Sequence, residues 1–252
     1  MLKLKSIKTR LILYLAFFAL FLAAKDRDVL FLGTLIIAVI SSLAAESVIL
    51  YLKTKVFQVT ESSIITGLII GYVLSSDEVW WRFVLASSLA ILSKYLIRFR
   101  KKHIFNPASF GIFLTLIIFG ASTQWKETYA WYILLPFGFY FAQKIRKMEI
   151  IIGYAVFSLT LFGIQAVLQK VPLWHIFGYL SYFYIFVMVI EPKTTPLRPI
   201  GKFLFGAGVA VLIFILTAAG ARFDVELFSL LAMNIAVPLL NKLPQRKKGG
   251  MV

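Results

Sequence analysis

Ten long apolar runs, separated by short clusters of charge, constrain this chain more than any single motif. They occupy residues 11–24, 29–52, 61–75, 80–97, 104–120, 128–142, 150–169, 173–191, 202–219 and 225–241. Lipid offers no water to pair backbone N–H and C=O groups, so only helices and closed barrels cross it. These runs are too long and too continuous for barrel strands, which alternate apolar and polar positions. Composition agrees: 60% of the 252 residues are hydrophobic and 15% are charged, whereas soluble domains are about half apolar and roughly a quarter charged. The mean hydropathy is +0.88. The expected fold class is all-α integral membrane: one membrane domain over 1–252, with ten transmembrane helices and no soluble module. A straight span needs about 20 residues. Runs one, three, five and six fall short, so they are expected to be extended by polar flanks or to be short or broken helices packed against protein.

The basic residues test that count. In a soluble protein the net charge of +16 would suggest nucleic acid. Here the excess falls in alternate connections, as cytoplasmic loops do, so the expected partner is the lipid bilayer and no nucleic acid. If the N-terminus is inside and each run crosses once, the inner connections hold Lys3, Lys5, Lys8 and Arg10; Lys53 and Lys55; Arg98, Arg100, Lys101 and Lys102; Lys144, Arg146 and Lys147; Lys193, Arg198 and Lys202; and Lys242, Arg246, Lys247 and Lys248. The outer ones hold only Lys25, Arg27, Lys126, Lys170 and Arg222. One crossing more or fewer would reverse the bias in every later loop. The alternation therefore supports ten crossings of the cell (inner) membrane with both termini cytoplasmic. The chain has no cysteine, which excludes disulfides, thiolate zinc sites and cysteine-ligated clusters. Its basic start resembles a signal peptide, but Lys25-Asp26-Arg27-Asp28 gives no small-residue cleavage site, so a retained first helix is expected.

Ten crossings divide into five and five. An odd number per half inverts one half relative to the other, an arrangement common among transport folds. The halves are repeat one, about 11–120, and repeat two, about 128–242, with short basic tails. Asn106-Pro107-Ala108 in run five and Asn234-Ile235-Ala236 in run ten echo one another. They are expected at matching places, where the halves meet.

Several residues stand out against this apolar background. Asn106 and Pro107 open run five beside a basic stretch. They read either as a capped helix start or as an anion site at a helix N-terminus. Glu46 is the one carboxylate well inside an apolar run, and Lys94 lies at similar depth. They form either a structural ion pair or a step in an ion pathway. Thr66-Gly67 and Gly71 interrupt run three, for close helix packing or to line a ligand. Between Glu191 and Pro199 three prolines stiffen the connection, which is expected to pack into the protein. His103 and His175 are placed on opposite sides of the membrane, which argues against a bis-histidine haem. No catalytic triad, phosphate-cradling glycine loop or metal-ligand cluster is visible. The aromatic residues Tyr179, Tyr182, Phe183, Tyr184, Trp80 and Trp81 fit an interfacial belt.

The stretch Lys94-Tyr95 to Arg98, followed by His103-Ile104-Phe105-Asn106-Pro107-Ala108-Ser109-Phe110-Gly111, resembles the Phe-Asn-Pro-Ala signature of the RnfD/NqrB family. Met188 to Gly206, with Glu191-Pro192 and Thr195-Pro196, resembles its Thr-Asp-Pro-x-x-x-Pro stretch. Leu230 to Leu240 is similar to its Leu-Leu-x-Asn-x-x-x-Pro-Leu ending, and Thr66-Gly67 to its third helix. The resemblance covers nearly the whole chain in order. It implies ten spans in two inverted repeats, and membership of an ion-pumping NADH:quinone or NAD:ferredoxin oxidoreductase. It also implies FMN joined through a phosphoester to the threonine of a Ser-Gly-Ala-Thr sequence in an outer loop. The corresponding loop here is Gly120-Ala121-Ser122-Thr123-Gln124, a partial match, so Ser122 or Thr123 is the candidate attachment point and a plain linker turn the other reading. Glu191 stands where the larger family members have aspartate, and Asn241 where an acid is common. The chain looks more like the short, RnfD-like branch.

The resulting expectation is a membrane electron-transport subunit that binds FMN or riboflavin and is coupled to ion movement. Its partners would be other redox-complex subunits or a flavin reductase. Thr66, Gly67, Asn106, Pro107, Glu191, Thr195 and Asn234 would line the centre, with Glu46 and Lys94 on an ion pathway. The alternatives are a small-molecule or ion transporter using the central site and a structural partner in a larger complex.

Overall fold

A computed structural model describes residues 6–100, 102–126 and 130–243. The start of run six, residues 128 and 129, lies outside the described residues. So do Lys3, Lys5, Lys101, Arg246, Lys247 and Lys248 of the charge count, and the side chain of Tyr179. The helices are α1 (Ile7–Asp26), α2 (Val29–Thr54), α3 (Glu61–Val73), α4 (Trp80–Leu96), α5 (Pro107–Phe119), α6 (Trp131–Lys144), α7 (Met148–Leu168), α8 (Pro199–Ala218) and α9 (Val225–Leu240). The molecule is an all-α, multi-pass membrane protein. α1, α2, α7 and α8 are long and apolar enough to cross a membrane, while α3, α5 and α9 are apolar but shorter.

Run one, too short on its apolar residues alone, becomes a 20-residue helix because its polar flank joins it: Ser6 caps α1 by accepting from the Lys8 amide. Side-chain oxygens also begin α2 (Asp28), α3 (Thr60), α5 (Asn106) and α9 (Asp224), each accepting a first-turn N–H. Such caps satisfy amides that the helix itself leaves unpaired.

Two features depart from the sequence reading. Run eight is not one continuous α-helix. It splits into a 3-10 stretch (Leu173–Tyr179) and a π-helical stretch (Tyr184–Val189). The wider π turn departs from the regular hydrogen-bond ladder, and at its end the Met188 carbonyl accepts from the Asn106 side chain as well as from backbone amides. The basic loop after α4 folds back as a small hairpin, β1 (Arg98–Phe99) antiparallel to β2 (Lys102–His103), with Arg98 opposite His103.

Burial is arranged as lipid solvation requires. Apolar side chains such as Phe17, Leu20, Ile40 and Val167 face outward. Ser42, Ser63, Ser87, Thr115 and Ser158 are buried between helices. Small residues at these contacts let backbones approach closely. A Cβ on Gly67 would lie 2.5 Å from Val39 Cα, and one on Gly71 would lie 2.7 Å from Leu35 Cα. α3 therefore seats directly on the backbone of α2.

Contacts between connections fall into two sets. At one end Ser6 and Thr9 bond Glu61, Lys147 bonds the Pro196 carbonyl, Lys202 bonds the Arg146 carbonyl, and Arg198 bonds the Leu243 carbonyl. At the other, Lys126 pairs with Asp28, Ser122 bonds Glu78, and Thr123 and Trp125 bond Asp224. The first end carries the basic connections.

Candidate functional site

Proline at the first position of α5 forgoes an N–H that the helix would not use, and its fixed φ suits the turn. Asn106 before it caps the helix through Oδ1 to the Ser109 amide, at 3.0 Å. Its Nδ2 donates to the Met188 carbonyl at 3.2 Å, and its backbone N–H donates to Asn234 Oδ1 at 2.8 Å. Asn234 Nδ2 in turn donates to the Thr194 carbonyl at 3.0 Å. Both asparagines are almost fully buried, and together they join α5, α9 and the two ends of the 188–194 segment. The echoing Asn-x-Ala sites therefore meet. They do not hold matching places: Asn106 is a cap, whereas Asn234 lies inside α9.

On one side of this tie lies a cavity of about 240 Å³ between α1, α3, α5, α6 and the π-helical stretch. Thr66, Asn106, Pro107 and Glu191 line it. Its walls are apolar (Ile65, Ile69, Phe141, Phe186), and its polar end carries Lys8, Ser62 and Lys193. Gly67 is not among its lining residues and serves packing against α2. On the other side, a cleft of about 470 Å³ includes Thr195 and Asn234. Thr195 Oγ1 bonds the Glu191 carbonyl at 2.7 Å within the proline-rich connection, which Asn234, Lys147 and Asn241 tie to the helices through the Thr194 and Pro196 carbonyls and the Leu197 amide. That connection packs as expected, with Thr194 and Thr195 buried.

His103 sits at the edge of this region. Its Nδ1 lies 3.0 Å from the Phe105 carbonyl and carries the proton for that bond. Burial pushes the ring down from 6.5 to about 4, and Lys193, Lys94 and Arg98 add to the effect.

Glu46 and Lys94 form a buried ion pair at 3.1 Å. Glu46 also accepts from the hydroxyls of Tyr95, at 3.0 Å, and Thr60. The carboxylate thereby links α2 to α4 and to the cap of α3. Nothing in the spacing singles out Tyr95 or Thr60 as its partners. Ser122 and Thr123 lie at the opposite end of α5 from Asn106, about 20 Å away at 1.5 Å per helical residue. The Ser122 hydroxyl donates to Glu78 Oε1 at 2.8 Å, and the Thr123 hydroxyl to Asp224 Oδ2 at 3.0 Å. Sequence reasoning missed Lys8, Ser62 and Lys193 because each resembles an ordinary loop or helix-start residue.

The sequence model of the NQR2, RnfD, RnfE family matches residues 3–132 and 122–250. The chain belongs to this family. The family resemblance read from the sequence is thereby confirmed. The chain is similar to the RnfD subunit of the ion-translocating oxidoreductase complex of Mannheimia succiniciproducens, 26% identical over 53% of this chain and 34% of the relative. It is also similar to the RnfD subunit from Escherichia coli strain SMS-3-5, 32% identical over 56% of this chain and 42% of the relative. The corresponding Pseudomonas aeruginosa LESB58 protein is 25% identical over 55% and 37%. The chain spans less than half the length of these curated relatives in the aligned stretches.

Proposed function

We propose that this chain is a membrane electron-transport subunit of an Rnf/Nqr-like oxidoreductase complex that moves ions, and that its central cavity holds a flavin. The cavity carries the proposal: four family-motif residues, Thr66, Asn106, Pro107 and Glu191, converge on one space between the halves. Its donor set fits the group. The apolar walls with Phe141 and Phe186 suit a flat ring system, and the Ser62 and Thr66 hydroxyls suit a polyol chain. Lys8 and Lys193 suit a phosphate. At about 240 Å³ the space lies just below the usual range of roughly 300–1,000 Å³ for small-molecule pockets, so one ring system is accommodated rather than a dinucleotide. FMN and riboflavin are the candidates, and either would supply a one- or two-electron carrier. The protein's residues would orient the rings, keep water from them and neutralise the tail.

The reading extends to topology. All ten runs cross the inner membrane as two inverted repeats of five, with both termini and the basic connections in the cytoplasm. Electrons would arrive from other complex subunits or from a flavin reductase. Attachment at Ser122 or Thr123 is disfavoured because a phosphoester there would face the Glu78 and Asp224 carboxylates. The flavin is therefore held without a covalent bond. Glu46 and Lys94 act as a structural pair, each buried and hydrogen-bonded.

The test is the absorbance of the full-length protein purified with its complex partners. A flavin spectrum is expected, with the chromophore released on denaturation and its content reduced by Thr66→Ile, which fills the cavity. Absence of any flavin, together with substrate flux in liposomes lacking a redox partner, would establish the transporter alternative instead.

A further inference from the structure

The second cleft, of about 470 Å³, opens at the basic end of the bundle between the β1–β2 hairpin, residues 193–197 and the end of α9. Arg100, Lys102, Lys193 and Lys242 line it, and no aspartate or glutamate does. Among the described residues none of the four is in a salt bridge. Four cations gathered around one concavity repel each other, and low-dielectric walls strengthen the field they present to an anion. A second observation points the same way. His103 also lines the cleft, is 7% exposed, and has its Nε2 buried without a hydrogen-bond partner. Glu191 Oε1 is 3.9 Å from that nitrogen, beyond hydrogen-bond reach. Buried polar atoms left without a partner are rare enough in folded proteins to call for an explanation.

The rim adds the chemistry of the ligand's other end. Phe99, Leu197 and Leu239 line the cleft and are 48%, 63% and 66% exposed. In water such a rim is unfavourable. At the level of lipid headgroups it is solvated by acyl chains, while the cations face the phosphates. Basic pockets beside membrane helices recognise anionic headgroups by this combination.

We propose that the cleft is a binding site for the phosphate group of an anionic phospholipid drawn from the surrounding leaflet. Arg100, Lys102, Lys193 and Lys242 supply the charge. The bound anion offsets the neighbouring cations, so that His103 Nε2 takes up a proton and donates to it. The cleft opens on the other side of the Asn106–Asn234 tie from the central cavity; Lys193 lines both, while Arg100, Lys102 and Lys242 line the cleft alone, so the proposal does not depend on a flavin in the cavity.

The test uses full-length protein in mild detergent with equal amounts of phosphatidylglycerol and phosphatidylcholine, read by native mass spectrometry. Phosphatidylglycerol is expected to be retained in preference by about tenfold or more, since each basic side chain near an anionic headgroup contributes roughly a factor of five. R100Q/K242Q is expected to cut the preference by about fivefold or more, and the charge-preserving R100K/K242R to keep it. Equal retention of both lipids by the wild-type protein overturns the site. An unchanged preference in R100Q/K242Q, or its equal loss in R100K/K242R, does so as well. A further arm titrates inorganic phosphate into protein held in phosphatidylcholine nanodiscs. Saturable binding sensitive to R100Q/K242Q, without lipid preference, would mean that the site takes a soluble phosphate and would overturn the lipid assignment.

Discussion

The backbone N–H of Asn106 donates to Asn234 Oδ1 at 2.8 Å, joining residues 128 positions apart. Asn234 spends its other amide group on the Thr194 carbonyl. One buried side chain thus satisfies two backbone groups from two different connections. Asn234→Leu, close in volume, strands both groups away from water at about 1–3 kcal/mol each. The expected outcome is a clear fall in unfolding temperature in detergent. Asn234→Asp also destabilises, because an oxygen then faces the Thr194 carbonyl. An unfolding temperature unchanged in Asn234→Leu would show that the tie contributes nothing.

Helix seating gives a contrast between two glycines. A Cβ on Gly67 would meet the backbone of Val39, whereas one on Gly33 meets nothing within 4 Å. Gly67→Ala must push α3 off α2 and is expected to lower stability by about 1–3 kcal/mol, as overpacking does. Gly33→Ala is expected to be neutral or stabilising by up to about 1 kcal/mol, because alanine is the better helix former. Thermal unfolding of the two variants side by side checks this. Equal behaviour would remove the packing role assigned to Gly67.

How much of this was legible depends on the kind of physics involved. Apolar runs and caps are local, so the helices and the Asn106-Pro107 start could be read directly. The pairing of Glu46 with Lys94 could be inferred from depth alone, since an ion inside lipid needs a partner. The π turn at Tyr184–Val189 was hidden, because its apolar side chains have the composition of any buried helix. So was the role of Lys8 and Lys193. Each counts as one more basic loop residue until the fold brings the start of α1 beside the 188–194 segment. The Asn-x-Ala echo pointed to the right meeting place for a reason that was not its own, since the two asparagines differ in helix position.

Ser122 and Thr123 bear on how the proposed flavin would be held. Both hydroxyls donate to carboxylates in the same connection set. Flavin content of S122A/T123A protein is expected to match the wild type, and a denaturing gel of either is expected to show no flavin fluorescence. A fluorescent band lost in the double variant would place a covalent flavin in that loop.

His103 makes stability depend on acid. Burial lowers its pKa from 6.5 to about 4, so between those values the unfolded chain binds more protons than the folded one. Stability is therefore complete above about pH 6.5 and falls as the pH drops toward 4, by roughly 3 kcal/mol at most from this group. His103→Gln should flatten that part of the profile. The comparison is made in neutral detergent, free of anionic lipid, with denaturation followed from pH 4 to 7. Parallel wild-type and variant profiles would show that His103 titrates normally.

The Glu46–Lys94 pair separates a structural role from an ion path. Removing one member of a buried pair leaves an uncompensated charge, which costs about 3–5 kcal/mol. Lys94→Met is expected to be severely destabilising, because Glu46 loses its cation and keeps only the Tyr95 and Thr60 hydroxyls. Glu46→Gln keeps those hydroxyl contacts but strands the ammonium. Glu46→Gln/Lys94→Met removes both charges, and Tyr95 and Thr60 can still donate to the glutamine carbonyl. The double variant should recover most of the loss, giving a coupling of about 2 kcal/mol or more in a double-mutant cycle. Under the proposed function, the reconstituted complex carrying it should also keep any ion movement of the wild type. A stable double variant that assembles and transfers electrons but moves no ions would make Glu46 part of the pathway and overturn the structural assignment.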